Sequence, residues 1–89
     1  MFVVVSYDIV NNNKRNKVSE LLLDYGKRVQ KSVFECDLDE KKLEQMIKEA
    51  IGYINQEEDS LRIYYLCETC ISKLALYGRQ IDDEQKMIV

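Results

Sequence analysis

From Phe2 to Ile9 the chain is an almost unbroken apolar run rich in Val, interrupted by Ser6 and brought to its end by Asp8. Such a run suits a central strand buried on both faces. Asn11, Asn12 and Asn13 follow, residue types that make a turn and cap a helix. Between Lys14 and Tyr25, the residues Val18, Leu21, Leu22 and Tyr25 recur at i, i+3, i+4 and i+7. That is the stripe of an amphipathic helix, with Leu23 just beside it. Gly26 stands where a left-handed residue would end the helix.

Arg28 to Cys36 alternates, with Val29 and Val33 on one side and Gln30, Ser32, Phe34 and Cys36 on the other. The pattern predicts a strand with one covered and one more polar face. Asp37 or Asp39 then caps a second helix carrying Leu43, Met46, Ile47, Ala50, Ile51 and Ile54, and the polar stretch 55–59 ends it. Leu61 to Leu66 reads as a third strand, Cys67 to Cys70 as a connection, and Lys73 to Tyr77 as a short fourth strand closed by Gly78.

The class is α+β, assembled as βαββαβ: two helices on one face of a four-stranded antiparallel sheet, the ferredoxin-like arrangement. Residues 1–78 form that domain. Residues 79–89 are a polar linker and a last short strand, Met87-Ile88-Val89, too small to stand alone and suited to adding to a partner subunit's sheet. The uncovered sheet face would leave Tyr and Phe side chains in water, which points to a homodimer.

Length changes little in this picture, since 89 residues hold one domain. Composition excludes more. There is no His, so no imidazole is available as base or metal ligand, and hydrolysis would have to run on carboxylates, a bound metal, hydroxyls or Tyr. No run approaches the ~20 apolar residues that span a bilayer, and the first residues lack the features of a signal peptide. Cytoplasmic residence, with no membrane partner, is the expectation. Three Cys, an odd number, argue against a disulfide framework there.

The net charge of −3 hides a strong polarity. Residues 11–31 carry Lys14, Arg15, Lys17, Lys27, Arg28 and Lys31 against Glu20 and Asp24, a local +4, whereas residues 35–59 are strongly acidic. A chain so divided can present a basic face to a polyanion while remaining acidic as a whole.

Taken in order, Tyr7-Asp8-Ile9, then Lys14-Arg15-x-Lys17-Val18, then Tyr25-Gly26-x-Arg28-Val29-Gln30-x-Ser32-Val33-Phe34-Glu35, and later Asp59-Ser60-Leu61-Arg62-Ile63-Tyr64, resemble the CRISPR-associated Cas-two family. The likeness covers essentially the whole chain. It implies a ferredoxin-like homodimer whose C-terminal strand completes the partner's sheet. It implies a divalent cation, usually Mg²⁺, held by the aspartate ending the first strand, here Asp8. It further implies metal-dependent endonuclease activity on RNA or double-stranded DNA, and assembly with the CRISPR integrase, the Cas-one protein, in capturing spacer DNA. By position, Tyr7 and Asp8 carry the catalytic role, and Arg15, Arg28, Ser32 and Phe34 are site-associated. Lys17 stands where some members have Arg, keeping the charge and losing the bidentate fork.

Each residue also has a plainer reading. Asp8 could be a turn aspartate hydrogen-bonded to backbone amides. Lys14, Arg15, Lys17 and Arg28 flank the same junction and could clamp phosphates without reading sequence, or be solvated surface charge. Phe34 shares a strand face with Ser32 and suits packing better than base stacking, and Tyr7 likewise packs with its hydroxyl on a polar partner. Cys67-x-x-Cys70 lacks the four ligands of a structural zinc site and reads as buried or partly buried reduced thiols. Three functions stay open: an Mg²⁺-dependent nuclease, a non-catalytic DNA-gripping adaptor that bridges integrase subunits, and a small regulatory domain, the last disfavoured by the basic cluster.

Overall fold

The computed structural model describes residues 1–75 and 77. β1 (Phe2–Asp8) runs through the middle of a four-stranded sheet, paired antiparallel to β3 (Val33–Asp37) on one side and to β4 (Ser60–Leu66) on the other. β2 (Lys27–Gln30) pairs with the far side of β3, so the order is β2-β3-β1-β4. Helices α1 (Asn12–Leu23) and α2 (Glu40–Ile51) supply the two crossovers, and a short helix α3 (Glu68–Ser72) follows β4. The fold is ferredoxin-like, as the βαββαβ order requires.

The alternation in β1 decides which face is core. Val3, Val5 and Tyr7 point to the helices and are buried, while Phe2, Val4 and Ser6 lie on the open face and are only partly covered. The register places Val5 between Phe34 and Ile63, so one row of apolar side chains crosses three strands. Against it pack Val18 and Leu22 from α1 and Leu43 and Met46 from α2. The open face carries Val4 beside Tyr64, whose ring is 49% exposed.

Helix starts follow the capping chemistry. The Asn11 side chain accepts the Lys14 amide at 2.9 Å, and Asp39, not Asp37, caps α2 by accepting the Lys42 amide at 2.8 Å. Gly26 does not take up a left-handed backbone conformation. It is there because the chain passes tightly against β3: a Cβ would strike the Glu35 carbonyl oxygen and the Cys36 sulfur.

Two elements differ from the pattern-based expectation. Residues 28–36 are not one strand but a hairpin, β2 and β3, turning at Lys31 and Ser32 with an irregularity between Arg28 and Gln30. A two-residue turn preserves the period of two, so the alternation runs through it unbroken. This hairpin provides the second and third strands. The expected strand 73–77 is absent among the described residues; the chain instead enters α3 and leaves it through a turn at Lys73. Leu76, the linker 79–85 and the terminal strand expected at 86–89 lie outside the described residues.

Candidate functional site

Where β1 hands over to α1, the polypeptide must leave the sheet and cross its face. Arg15 fixes that corner from within the first turn of α1: its Nε donates to the Ile9 carbonyl at 3.0 Å and its terminal nitrogen to the Val10 carbonyl at 3.2 Å. The guanidinium is thus anchored by neutral acceptors, with no carboxylate bonded to it. The carboxylate of Asp59 holds the same corner from the opposite side, with Oδ1 accepting the Val10 amide at 2.9 Å and Oδ2 the Asn55 amide at 2.8 Å. These two backbone donors hold the Asp59 carboxyl below its ordinary value.

The corner opens on a cleft of about 420 Å³ between the ends of β1 and α1 and the β2–β3 turn. Asp8, Arg15, Arg28, Lys31 and Ser32 all line it. Asp8 lies at the last position of β1, exposed, and its carboxylate makes no hydrogen bond or ion pair among the described residues. It is therefore not the amide-bonded turn aspartate that the plainer reading allows; Asp59 does that work.

Arg28 reaches from β2 beneath α1. A terminal nitrogen donates to the Ser19 hydroxyl, and the guanidinium carbon sits 5.3 Å from the centre of the Phe34 ring. Its Nε is buried with no acceptor. Stacking on an aromatic face and bonding to a neutral hydroxyl hold the group in place and leave its charge unopposed. Lys31 and Ser32 come from the turn of the hairpin, so Ser32 does not share a strand face with Phe34.

Tyr7 forms the floor, with Phe34 packed against it. Tyr7 is 4% exposed, stacks with Phe34 at a centroid distance of 6.3 Å, and points its hydroxyl to the Lys31 carbonyl at 3.5 Å. Phe34 is wholly buried in the subunit, packed against Tyr7 and beneath the Arg28 guanidinium. Lys14 and Lys17 stand exposed on α1 outside the cleft.

Among the described residues, the one ion pair joins the terminal amine to Asp37. The basic groups around the cleft consequently meet no internal counter-charge, and they set a positive field next to a single free carboxylate. No group of three or more His, Cys, Asp or Glu gathers among the described residues. The donor set fits Mg²⁺ only in its usual sparing form, in which one or two carboxylates are supplemented by water and phosphate oxygens.

Sequence reasoning did not assign Asp59, Ser19 or Lys31 to the site, although Lys31 belongs to the basic cluster and Asp59 stands in a family-like stretch. Asp59 had a readable sign, since Asn55 and an acidic residue four positions on suit a side-chain-closed turn. Ser19 had none, because only the tertiary crossing of α1 over β2 brings it to the cleft. Cys67 and Cys70 are exposed, not buried, and lie at the far end of β4 from Ser60, which pairs with Asp8. Cys36 alone is a buried thiol.

The model of the family described as CRISPR associated protein Cas2 matches residues 1–74. The chain is 43% identical over 79 residues to the CRISPR-associated endoribonuclease Cas2 1 of Chloroflexus aurantiacus, covering 88% of this chain and 85% of the relative. It is 40% identical over 75 residues to the CRISPR-associated endoribonuclease Cas2 3 of Synechocystis sp., covering 84% and 82%. Among solved structures it resembles a hypothetical protein from Thermus thermophilus, with a TM-score of 0.80 and 38% identity over 90% of this chain and 93% of that one. It also resembles Streptococcus pyogenes Cas2 crystallised at pH 6.5, with a TM-score of 0.78 and 30% identity over 88% and 100%. A corner that pairs a free strand-end aspartate with unneutralised arginines, on this fold and with these relatives, belongs to a member of the CRISPR-associated Cas2 family.

Proposed function

We propose that this protein is a CRISPR-associated endonuclease that acts as a homodimer, hydrolysing phosphodiesters with an Mg²⁺ ion held between the Asp8 carboxylates of the two subunits. The observation that carries the proposal is the meeting of Asp8 with Arg15, Arg28 and Lys31 in one cleft, with no acidic partner spent on any of them. The relatives named as endoribonucleases and endonucleases supply the reaction class.

Asp8 would hold the cation, with the same residue of the second subunit supplying the second carboxylate that one chain lacks. When bound, the cation supplies charge neutralisation at the phosphate and a more acidic water. Lys14 and Lys17 on α1 draw in the nucleic-acid backbone through charge alone, so that binding weakens with salt and does not read sequence. Arg28, Lys31 and Ser32 orient the phosphate at the cleft. Tyr7 supports the floor through its ring and is not required to carry a proton.

A second reading is a non-catalytic adaptor that grips duplex DNA and bridges integrase subunits during spacer acquisition in the cytoplasm. It is favoured by the sparseness of the donor set: one free carboxylate at the cleft and no His in the chain. Cleavage of single-stranded RNA and duplex DNA, with and without Mg²⁺, separates the two. For the nuclease, wild type cleaves only with Mg²⁺, and Asp8→Ala binds without cleaving. Asp8→Ala cleaving as well as wild type would remove the metal site. Absence of cleavage by both, with salt-sensitive binding retained, would leave the adaptor.

A further inference from the structure

The end of β4 carries chemistry that the cleft does not use. Cys67 immediately precedes α3, and its carbonyl accepts the Ile71 amide at 3.0 Å to close the first helical turn. That turn sets Cys70 on the same side of the helix as Cys67, with the two sulfurs sharing a hydrogen bond at 3.5 Å. Both residues are exposed.

We propose that Cys67 and Cys70 form a reversible disulfide, making the turn from β4 into α3 a thiol–disulfide switch. The sulfurs need only close to the ~2.05 Å of a disulfide, a movement within reach of side-chain rotation. The pairing is also unambiguous. The third thiol, Cys36, lies on the helix face of β3, fully buried, and burial pushes it up to about 11, so it does not compete as a thiolate.

The two partners are not equivalent. The backbone amide and thiol of Cys70 hold the Cys67 thiol below its ordinary value, while the same pairing pushes Cys70 up. Cys67 also borders a cleft of about 560 Å³ with Phe2, Leu66 and Ile71, which gives a small molecule access to its sulfur. Cys67 is therefore the attacking thiol. Its thiolate attacks one sulfur of a low-molecular-weight disulfide such as oxidised glutathione, forming a mixed disulfide and expelling one thiolate. The Cys70 thiolate then attacks the Cys67 sulfur and expels the second. Two electrons pass from the protein to the oxidant, and the two thiol protons leave with the two released thiols. In a reducing compartment such a bond is transient and regulatory, not structural.

The test uses the full chain equilibrated with graded ratios of oxidised to reduced glutathione, trapped with N-ethylmaleimide and mapped by peptide mass. The expected result is a Cys67–Cys70 linked peptide that grows with the oxidised fraction and disappears on return to reduced glutathione. Cys36 stays unlabelled until denaturant is added. Cys70→Ser accumulates a glutathione adduct on Cys67, whereas Cys67→Ser gives several-fold less adduct on Cys70 at neutral pH. Full maleimide labelling of both thiols at every ratio overturns the proposal. Covalent dimers on a non-reducing gel overturn it too, as does one Zn²⁺ per two chains protecting all four thiols.

Discussion

The Asp59 carboxylate accepts the Val10 amide at 2.9 Å across 49 positions of sequence, tying the turn before β4 to the corner where β1 ends. Asp8 lies two residues before that amide. The position of the candidate metal ligand is therefore set partly by a residue that never enters the cleft.

This contact has a definite pH dependence. A carboxyl held below its ordinary value of 3.8 by backbone donors stabilises the fold fully above that value. The contribution fades as pH falls through the lower folded-state value. Asp59→Asn, which keeps one acceptor oxygen and no charge, should melt at a lower temperature than wild type at pH 7. The two melting temperatures should converge as the buffer is taken below about pH 4. A gap that stays constant from pH 7 to 3 would disprove the role of the ionised group.

Asp8 offers a test of sharing between subunits. In equal mixtures of wild type and Asp8→Ala allowed to exchange protomers, a site needing both carboxylates leaves about a quarter of the wild-type cleavage, and independent sites leave about half. Titrating the mixing ratio and fitting a square or a linear law distinguishes them.

The basic residues should divide into two groups. Lys14→Ala and Lys17→Ala leave stability within about 0.5 kcal/mol, and each lowers the salt slope of nucleic-acid binding by about 1. Arg28→Ala also loses the Ser19 bond and the stacking on Phe34, so it should cost about 1–2 kcal/mol of stability as well as affinity. Urea titrations beside salt-dependent binding curves read both. Equal effects from Lys17 and Arg28 on both measurements would contradict the assignment.

Phe34 and Gly26 test the core beneath the cleft. Phe34→Leu should lower the melting temperature and, by removing the ring on which the Arg28 guanidinium rests, weaken nucleic-acid binding by no more than Arg28→Ala does. Gly26→Ala forces a methyl against the Glu35 carbonyl and the Cys36 sulfur. Overpacking of that kind costs about 1–3 kcal/mol. A neutral Gly26→Ala in urea would show that α1 and β3 are not held that closely.

Periodicity alone determined most of the framework. Strand β1, the stripes of α1 and α2, and strand β4 follow from which positions are apolar, because burying those side chains is the main force that organises the chain. It also placed Asp8 at the strand end and the basic residues around it, so the candidate site was legible as a region. The tertiary structure decided what periodicity could not carry. A two-residue turn at Lys31 and Ser32 keeps the alternation intact, so only the pairing of β2 with β3 reveals the hairpin. Phe34 and Ser32 look alike in a period-two reading, yet one is buried under the helices and the other turns at the surface. Asp59 and Ser19 act through contacts between distant segments, and a one-dimensional pattern contains no such contacts. Cys67 and Cys70 were legible as a spacing, but exposure and a 3.5 Å approach required a helical turn to bring the sulfurs together.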